Sequence, residues 1–246
     1  MPFIHYHVFK NAGSSVDRTL QGTFGDRWRT FEGSKVFDIQ NVESLIAFLE
    51  RYPDTEAVST HQGRPPVPAG CFPIAFLRHP IERCGSVYRF LSLRKDEAHA
   101  EALALGFPGW IDWALSGPRG LVIRNYQTVH FSSASFAPGG ILNAVATENE
   151  LAEAIDLFAE WSFVGIVAEF EKSIERFNEV YRIPLAGKHL KVFRSNVTLD
   201  DTSDETTRIS TIRKDLGEKR YRRLLAANEL DIRLYDYVKS RFSIGT

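Results

Sequence analysis

"FIHYHVFKNAGSSVDRTL", residues 3–20, carries the decision about the fold. It begins inside "PFIHYHVF", a run rich in β-formers and bounded by polar residues, which reads as a buried strand. Lys10 and a string of small polar residues follow. Val16, Leu20 and Phe24 then recur at helical spacing, with Ser14 or Ser15 placed to cap the helix start. Strand, loop and helix in that order put free backbone N–H groups at the carboxyl edge of a sheet, where open α/β folds bind their ligands.

The same alternation continues outward. "NVESLIAFLERYP" predicts an amphipathic helix capped by Asn41 and stopped by Pro53, and "EAVST" a short strand. "GRPPVPAG" is a rigid loop, "FPIAFL" a second strand, and "PIERCGSVYRFLSLR" a helix with proline in its first turn. "DEAHAEALAL" and "PGWIDWALS" read as helical, and "FSSASFAPGG" as loop. "TENELAEAIDLFAEW" opens with a capping box, Thr147 to Glu150. "SFVGIVAEF" reads as a strand and "EKSIERFNEVYR" as a helix striped by Phe170, Ile174, Phe177 and Tyr181. Residues 184–207 look like a polar, mobile surface segment. The tail places Tyr221, Leu224, Leu225, Ile232, Tyr235, Val238 and Phe242 on one helical face, with Asn228 among them as a buried amide. Strands alternating with helices imply a mostly parallel sheet.

The bulk numbers exclude several classes. The chain has 246 residues, 43% hydrophobic and 25% charged, as in a globular protein with a sizeable core. Its net charge of -1 offers no basic field for a nucleic acid, so any anion site must be local. No run reaches the roughly 18–20 apolar residues of a membrane helix. The N-terminal stretch lacks the pattern of a signal peptide. Cys71 and Cys84 form no metal or redox spacing and read as thiols of a cytosolic protein.

The opening loop has the logic of a phosphate-binding loop without the usual G-x-x-x-x-G-K-[ST]. It holds one glycine, Gly13, and Lys10 precedes it. Ala12, Gly13, Ser14 and Ser15 are small enough for a phosphate to approach the backbone, and the helix start favours an anion. An ordinary βα turn with a solvated lysine is the competing reading. A second stretch, "FLRHPIERCGSVYRFL", repeats strand, charged loop and helix, with Arg78 at the strand end and Ser86 about two turns into the helix. Arginine presents a forked donor suited to phosphate. Two anion sites at two strand ends suggest one ligand with phosphates at both ends.

This pair resembles the 5′-phosphosulfate loop and 3′-phosphate motif of sulfotransferases that use 3′-phosphoadenosine 5′-phosphosulfate (PAPS). "HVFKNAGSSV" is similar to the P-K-T-A-G-T-S loop of the Golgi-type carbohydrate enzymes, and "LRHPIERCGSVYRFL" to their R-D-P-[IV]-E-R-x-x-S-x-Y-x-F-L segment. Within that family the pair resembles the group containing heparan sulfate 2-O-sulfotransferase and its bacterial relatives. "RNYQTVHFS", "WSFVGIVAEFEKSIERF" and "NELDIRLYDYVKSRF" extend it more weakly. Phe9 stands where that family has proline, Asn11 where it has threonine, and His79 where it has aspartate. The family's membrane anchor is missing, which points to a soluble, bacterial-type, cytoplasmic member.

The resemblance implies a P-loop-like three-layer α/β fold, with a central, mostly parallel sheet flanked by helices and residues 1–246 forming one domain. It implies sulfuryl transfer from PAPS to a hydroxyl of a saccharide or small molecule, with release of 3′-phosphoadenosine 5′-phosphate (PAP) and no metal, nucleic acid or membrane required. Lys10 would sit on the bridging oxygen, and the amides of Asn11, Ala12, Gly13, Ser14 and Ser15 would hold the 5′-phosphate. Arg78 and Ser86 would hold the 3′-phosphate. His61, just after "VST", falls where the family's catalytic histidine falls; a structural loop histidine is the other reading, and Glu169 is the second candidate base. Asn125 would touch cofactor or acceptor.

Three further readings stand beside these. His5 and His7, two apart on one strand face, are part of a zinc set only if a third ligand exists, and none is evident in sequence; a packed strand pair is the simpler account. Lys188, Lys191 and Arg194 are placed either to close over an anion or on a solvated loop face. A nucleotide-dependent phosphotransferase and a non-catalytic nucleotide-binding module are the alternative functions. The first lacks a lysine-serine/threonine pair after the glycine and a metal-holding aspartate at a strand end. The second would have no use for a base such as His61.

Overall fold

Among the described residues, every strand pairing is parallel. The computed structural model describes residues 1–35, 38–95, 97–117, 122–137, 144–193 and 203–242. Strands β1 (Phe3–Tyr6), β2 (Trp28–Thr30), β3 (Ala57–Thr60) and β4 (Phe72–Ile74) form a sheet in the order β2-β3-β1-β4. The chain runs on through Ala75 into β5 (Phe76–Leu77), which pairs with β6 (Gly165–Ile166). The carbonyl of Ala75 accepts the Gly165 N–H at 2.8 Å. The stretch "FPIAFL" therefore bonds β1 with its first half and β6 with its second. Connections leave β1 for one side of the sheet and later cross to the other, which makes the carboxyl end of β1 a topological switch point.

Strand alternation sorts the core into layers. Phe3, Ala57, Ile74 and Phe76 pack with Val16, Leu20 and Phe24 of α1 (Gly13–Phe24) and with the predicted stripe of α8 (Phe170–Val180) and its neighbour Tyr181. Ile4, Tyr6, Val58 and Leu77 face the opposite layer. There they meet Leu45 of α2 (Val42–Arg51), Leu151 and Phe158 of α7 (Glu148–Glu160), and Leu234 and Val238 of α10 (Glu229–Phe242). A third cluster joins α3 (Pro80–Arg94), α4 (Ala100–Ala104), α5 (Gly106–Ser116) and α9 (Glu205–Ala226). The short α6 (Tyr126–His130) is buried throughout. The expected three-layer α/β architecture is present.

The local predictions hold where a side chain closes the element. Asn41 accepts the Ser44 N–H at the start of α2, and Thr147 and Glu150 form the capping box of α7. Four expectations are corrected. The strand "PFIHYHVF" ends at Tyr6: the His7 N–H makes a last bond to Thr60 O, and the Val8 N–H turns back to the Tyr6 carbonyl. Neither Ser14 nor Ser15 caps α1; the cap position is Ala12, in the left-handed region with φ 60°. The tail is two helices rather than one, since the Asn228 amide donates to Leu224 O and Asn125 Oδ1 accepts from the N–H groups of Leu230 and Asp231. Residues 184–193 are not a loose surface segment: Leu185 and Leu190 are buried, and Asn178 holds the Leu190 backbone through both N–H and C=O. Residues 194–202, with Arg194, lie outside the described residues.

Candidate active site

Three chain segments meet at the carboxyl edge around β1. The loop after β1 leads into α1, the turn after β3 carries His61, and the end of β5 carries Arg78.

The loop owes its shape to Asn11. This buried side chain donates to the Phe76 carbonyl at 2.8 Å and to Gln127 Oε1 at 2.6 Å. Gln127 Oε1 also accepts the Arg78 N–H, and its Nε2 donates to the Arg78 carbonyl. Behind it, Asp231 accepts the backbone N–H of Gln127 and both N–H and O–H of Thr128. One side-chain amide thus registers the loop against the strand end that carries Arg78. Lys10 and Ala12 adopt positive φ, 66° and 60°, which costs non-glycine residues about 1–2 kcal/mol each. The Asn11 N–H is spent on Val8 O and the Ser15 N–H on Ala12 O. The expectation that all amides from 11 to 15 face a phosphate is therefore corrected. Among the described residues, no backbone carbonyl accepts the N–H of Ala12, Gly13 or Ser14, as at an uncapped helix start.

Three guanidinium groups, those of Arg78, Arg83 and Arg89, lie near enough to Lys10 for their charges to act on it. Lys10 is half-buried with Nζ 4.5 Å from the centroid of the Phe90 ring. Burial, followed by the positive charges of Arg78, Arg89 and Arg83, holds its pKa below the ordinary lysine value. Arg83 is fully buried, donating to Phe9 O and Val122 O and lying 4.1 Å over the Tyr126 ring. Phe9 packs edge-on against Phe90, so the residue in the proline's place helps build the platform under Lys10. Arg78 donates to Glu82 at 2.9 Å, and Arg208 of α9 reaches the same carboxylate. Among the described residues, Arg78 Nε and Arg83 Nη1 are buried with no hydrogen-bond partner. Beside them a cavity of about 370 Å³ opens between α3 and α9, lined among others by Gly85, Tyr88, Arg89, Phe107, Arg208 and Ile212. Ser86 is half-buried on α3, next to this cavity but not among its lining residues.

The histidines form a second group. His61 is 55% exposed, and its Nδ1 and backbone N–H both lie 2.8 Å from Glu32 Oε1. Its ring stacks on His7 with centroids 3.8 Å apart. Asp17, one turn into α1, accepts from His7 through one oxygen and from His5 through the other, each at 2.9 Å. Asp17 is the third group that the sequence reading of His5 and His7 did not see, and the ligating atoms of the trio lie within 4.8 Å of one another. Both Nδ1 atoms are engaged with its carboxylate, so the set is already paired by hydrogen bonds. Burial pushes His7 down to about 4, against the opposing pull of Asp17, and leaves it neutral at pH 7. Burial pushes Asp17 up, but the two histidine hydrogen bonds outweigh it and hold the carboxyl well below its ordinary range. Arg64, buried and with its pKa pushed down to about 10, donates to the carbonyls of His61 and Gly63 and clamps the turn. His130 lies buried nearby, and among the described residues neither ring nitrogen has a hydrogen-bond partner.

Other candidates fall elsewhere. Glu169 follows β6, on the far side of β1 and β4/β5 from His61. Asn125 spends its Oδ1 on the start of α10. Lys188 pairs with Glu56, just before β3, which places it at the amino edge of the sheet, away from the loop. Lys191 is exposed in a segment that runs along α1, where the Phe193 N–H bonds Thr19. Sequence reasoning missed Glu32, Asp17, Gln127 and Arg83; the pair His5 and His7 was the one visible trace of them.

A family model described as "Sulfotransferase family" matches residues 2–238. An uncharacterized protein of Archaeoglobus fulgidus is similar over 251 aligned residues at 28% identity, spanning 98% of this chain and 97% of its own length. Among the described residues, no helix is long and apolar enough to cross a membrane.

Proposed function

The chain belongs to the sulfotransferase family, and from that premise we propose that it transfers the sulfuryl group of PAPS to a hydroxyl of a saccharide or small molecule. We place it with the heparan sulfate 2-O-sulfotransferase-like carbohydrate enzymes, as a one-domain cytoplasmic member. The observation that carries this reading is the electrostatic clustering of Arg78, Arg83 and Arg89 on Lys10, beside a loop in which, among the described residues, no backbone carbonyl accepts the N–H of Ala12, Gly13 or Ser14. Two of those guanidinium groups keep buried donors without a partner, which fits a ligand rich in anionic oxygen.

Bound there, PAPS supplies an electrophilic sulfuryl group on a good leaving group. The protein's part is positioning and charge stabilisation, as in phosphoryl transfer. The amides of Ala12, Gly13 and Ser14 and the α1 dipole hold the 5′-phosphate, with Ser14 and Ser15 hydroxyls close by. Lys10 meets the charge that develops on the bridging oxygen. Arg78, tethered by Glu82 yet retaining Nε, holds the 3′-phosphate, with Ser86 as its companion. His61 takes the acceptor proton on Nε2, since Nδ1 is engaged with Glu32.

Calorimetric titration with PAP, ADP and ATP, with and without magnesium, tests the reading on wild type and Arg78→Ala. Tight, magnesium-independent PAP binding that Arg78→Ala weakens supports it. Magnesium-requiring ATP binding of equal or greater strength replaces it with a phosphotransferase, and the absence of all binding with a scaffold.

A further inference from the structure

We infer that Glu32 is a positioning residue for catalysis, the carboxylate that fixes the tautomer and aim of His61; this rests on the reading of His61 as the base. Glu32 sits two residues beyond β2, which pairs with the strand leading to His61. The backbone on either side of it is tied down. The Phe31 N–H donates to Ser59 O at 3.0 Å, and the Gly33 N–H donates to the side chain of Gln62. Gln62 in turn donates to Lys35 O, so the segment after β2 is stitched to the turn after β3.

Glu32 Oε1 meets the His61 backbone N–H and Nδ1, each at 2.8 Å. A carboxylate only accepts, so the proton on that imidazole resides on Nδ1 and the Nε2 lone pair is left to receive another. The second face of the ring is fixed independently by the 3.8 Å stack on His7, whose own Nδ1 is held by Asp17. His7 stays neutral, so it adds no positive charge against an imidazolium forming on His61. A base with one nitrogen oriented by a carboxylate and the other facing the substrate is the arrangement that general-base catalysis uses. During transfer the acceptor O–H bond breaks, its proton moves to His61 Nε2, and the oxygen forms the new S–O bond as PAP leaves with the electron pair of the old one. The Glu32 oxygen beside Nδ1 stabilises the imidazolium as it forms.

The test compares Glu32→Ala, Glu32→Gln, His61→Ala and the double variant Glu32→Ala/His61→Ala, by steady-state kinetics and by ¹⁵N spectra of histidine-labelled protein, with His61 assigned from its loss in His61→Ala. We expect Glu32→Ala to lower kcat about 10–100-fold with KM for the donor within about twofold. We also expect the His61 ring nitrogens to move from the Nδ1–H pattern to a tautomer mixture in the free enzyme. Glu32→Gln, whose amide oxygen still accepts, should keep the Nδ1–H pattern but lose rate. The double variant should be no slower than His61→Ala, because both changes remove one function. Full activity of Glu32→Ala alongside an inactive His61→Ala overturns the role of Glu32 alone, as does an unchanged tautomer. Retained turnover in His61→Ala overturns the base assignment itself.

Discussion

The ring of His7 occupies the space where a side chain on Gly13 would begin. A Cβ built on Gly13 would lie 2.0 Å from both Cδ2 and Nε2 of that imidazole. The glycine of the loop is therefore required by the histidine beneath it as well as by any phosphate above it. Since His7 also stacks on His61, the loop and the candidate base share one aromatic support.

Gly13→Ala should displace His7 or the loop, costing about 1–3 kcal/mol of stability by overpacking. Pairing it with His7→Ala should restore part of that loss, because the clash partner is gone. Thermal melts of the two single variants and the double variant check this; a double variant no more stable than Gly13→Ala would show that the strain lies in the backbone instead.

Acid should destabilise the fold through the same residues. His7 has its pKa at about 4 in the folded protein, against about 6.5 for a free imidazole. Between those values the unfolded chain binds more protons, so stability rises with pH across the window and is lost as pH falls through it. Between neutral pH and pH 4 the stability lost through this group is on the order of 3 kcal/mol. Asp17, held below its ordinary range, acts in the same sense: its contribution is present above about 3.9 and lost in stronger acid. Urea midpoints from pH 4 to 7 should climb in wild type and climb less in His7→Ala.

Asn11→Asp should be worse than Asn11→Ala. Both partners of the Asn11 amide, Phe76 O and Gln127 Oε1, are acceptors. A carboxylate in that buried place would face two oxygens with no donor, whereas alanine merely leaves them unpaired. Alanine should cost about 1–3 kcal/mol and aspartate more. PAP affinity, measured by calorimetry on both variants, should fall in the same order, because Asn11 registers the loop against Arg78.

Arg78→Ala should weaken PAP about 10–100-fold, the usual worth of a charge-assisted contact, and leave affinity for adenosine 5′-phosphosulfate, which lacks the 3′-phosphate, nearly unchanged. Equal losses for both ligands would move Arg78 to the 5′ side of the site.

Asn125→Ala should lower stability by about 1–2 kcal/mol through loss of the α10 cap and a left-handed backbone at φ 44°, without changing donor affinity. A selective loss of donor binding would return Asn125 to the ligand.

What the amino-acid sequence determined by itself is local in origin. Alternating β-formers, helical apolar spacing and the caps at Asn41 and Thr147 act within a few residues, so the elements and the parallel sheet were legible, as were Lys10, Gly13, Arg78 and His61 as candidates at strand ends. The break at Asn228 was not, because Asn125, which starts α10, lies far away in sequence. Nor was the partnership of Glu32 with His61, of Asp17 with His5 and His7, or of Asn11 with Gln127, each made by strands and helices brought side by side. Lys188 shows the converse: a basic stretch in sequence, it ends at the opposite edge of the sheet, paired to Glu56. Periodicity encodes which face a residue shares with its near neighbours. Which charges and imidazoles share a site depends on sheet order, and sheet order is a property of the packed layers that no single segment carries.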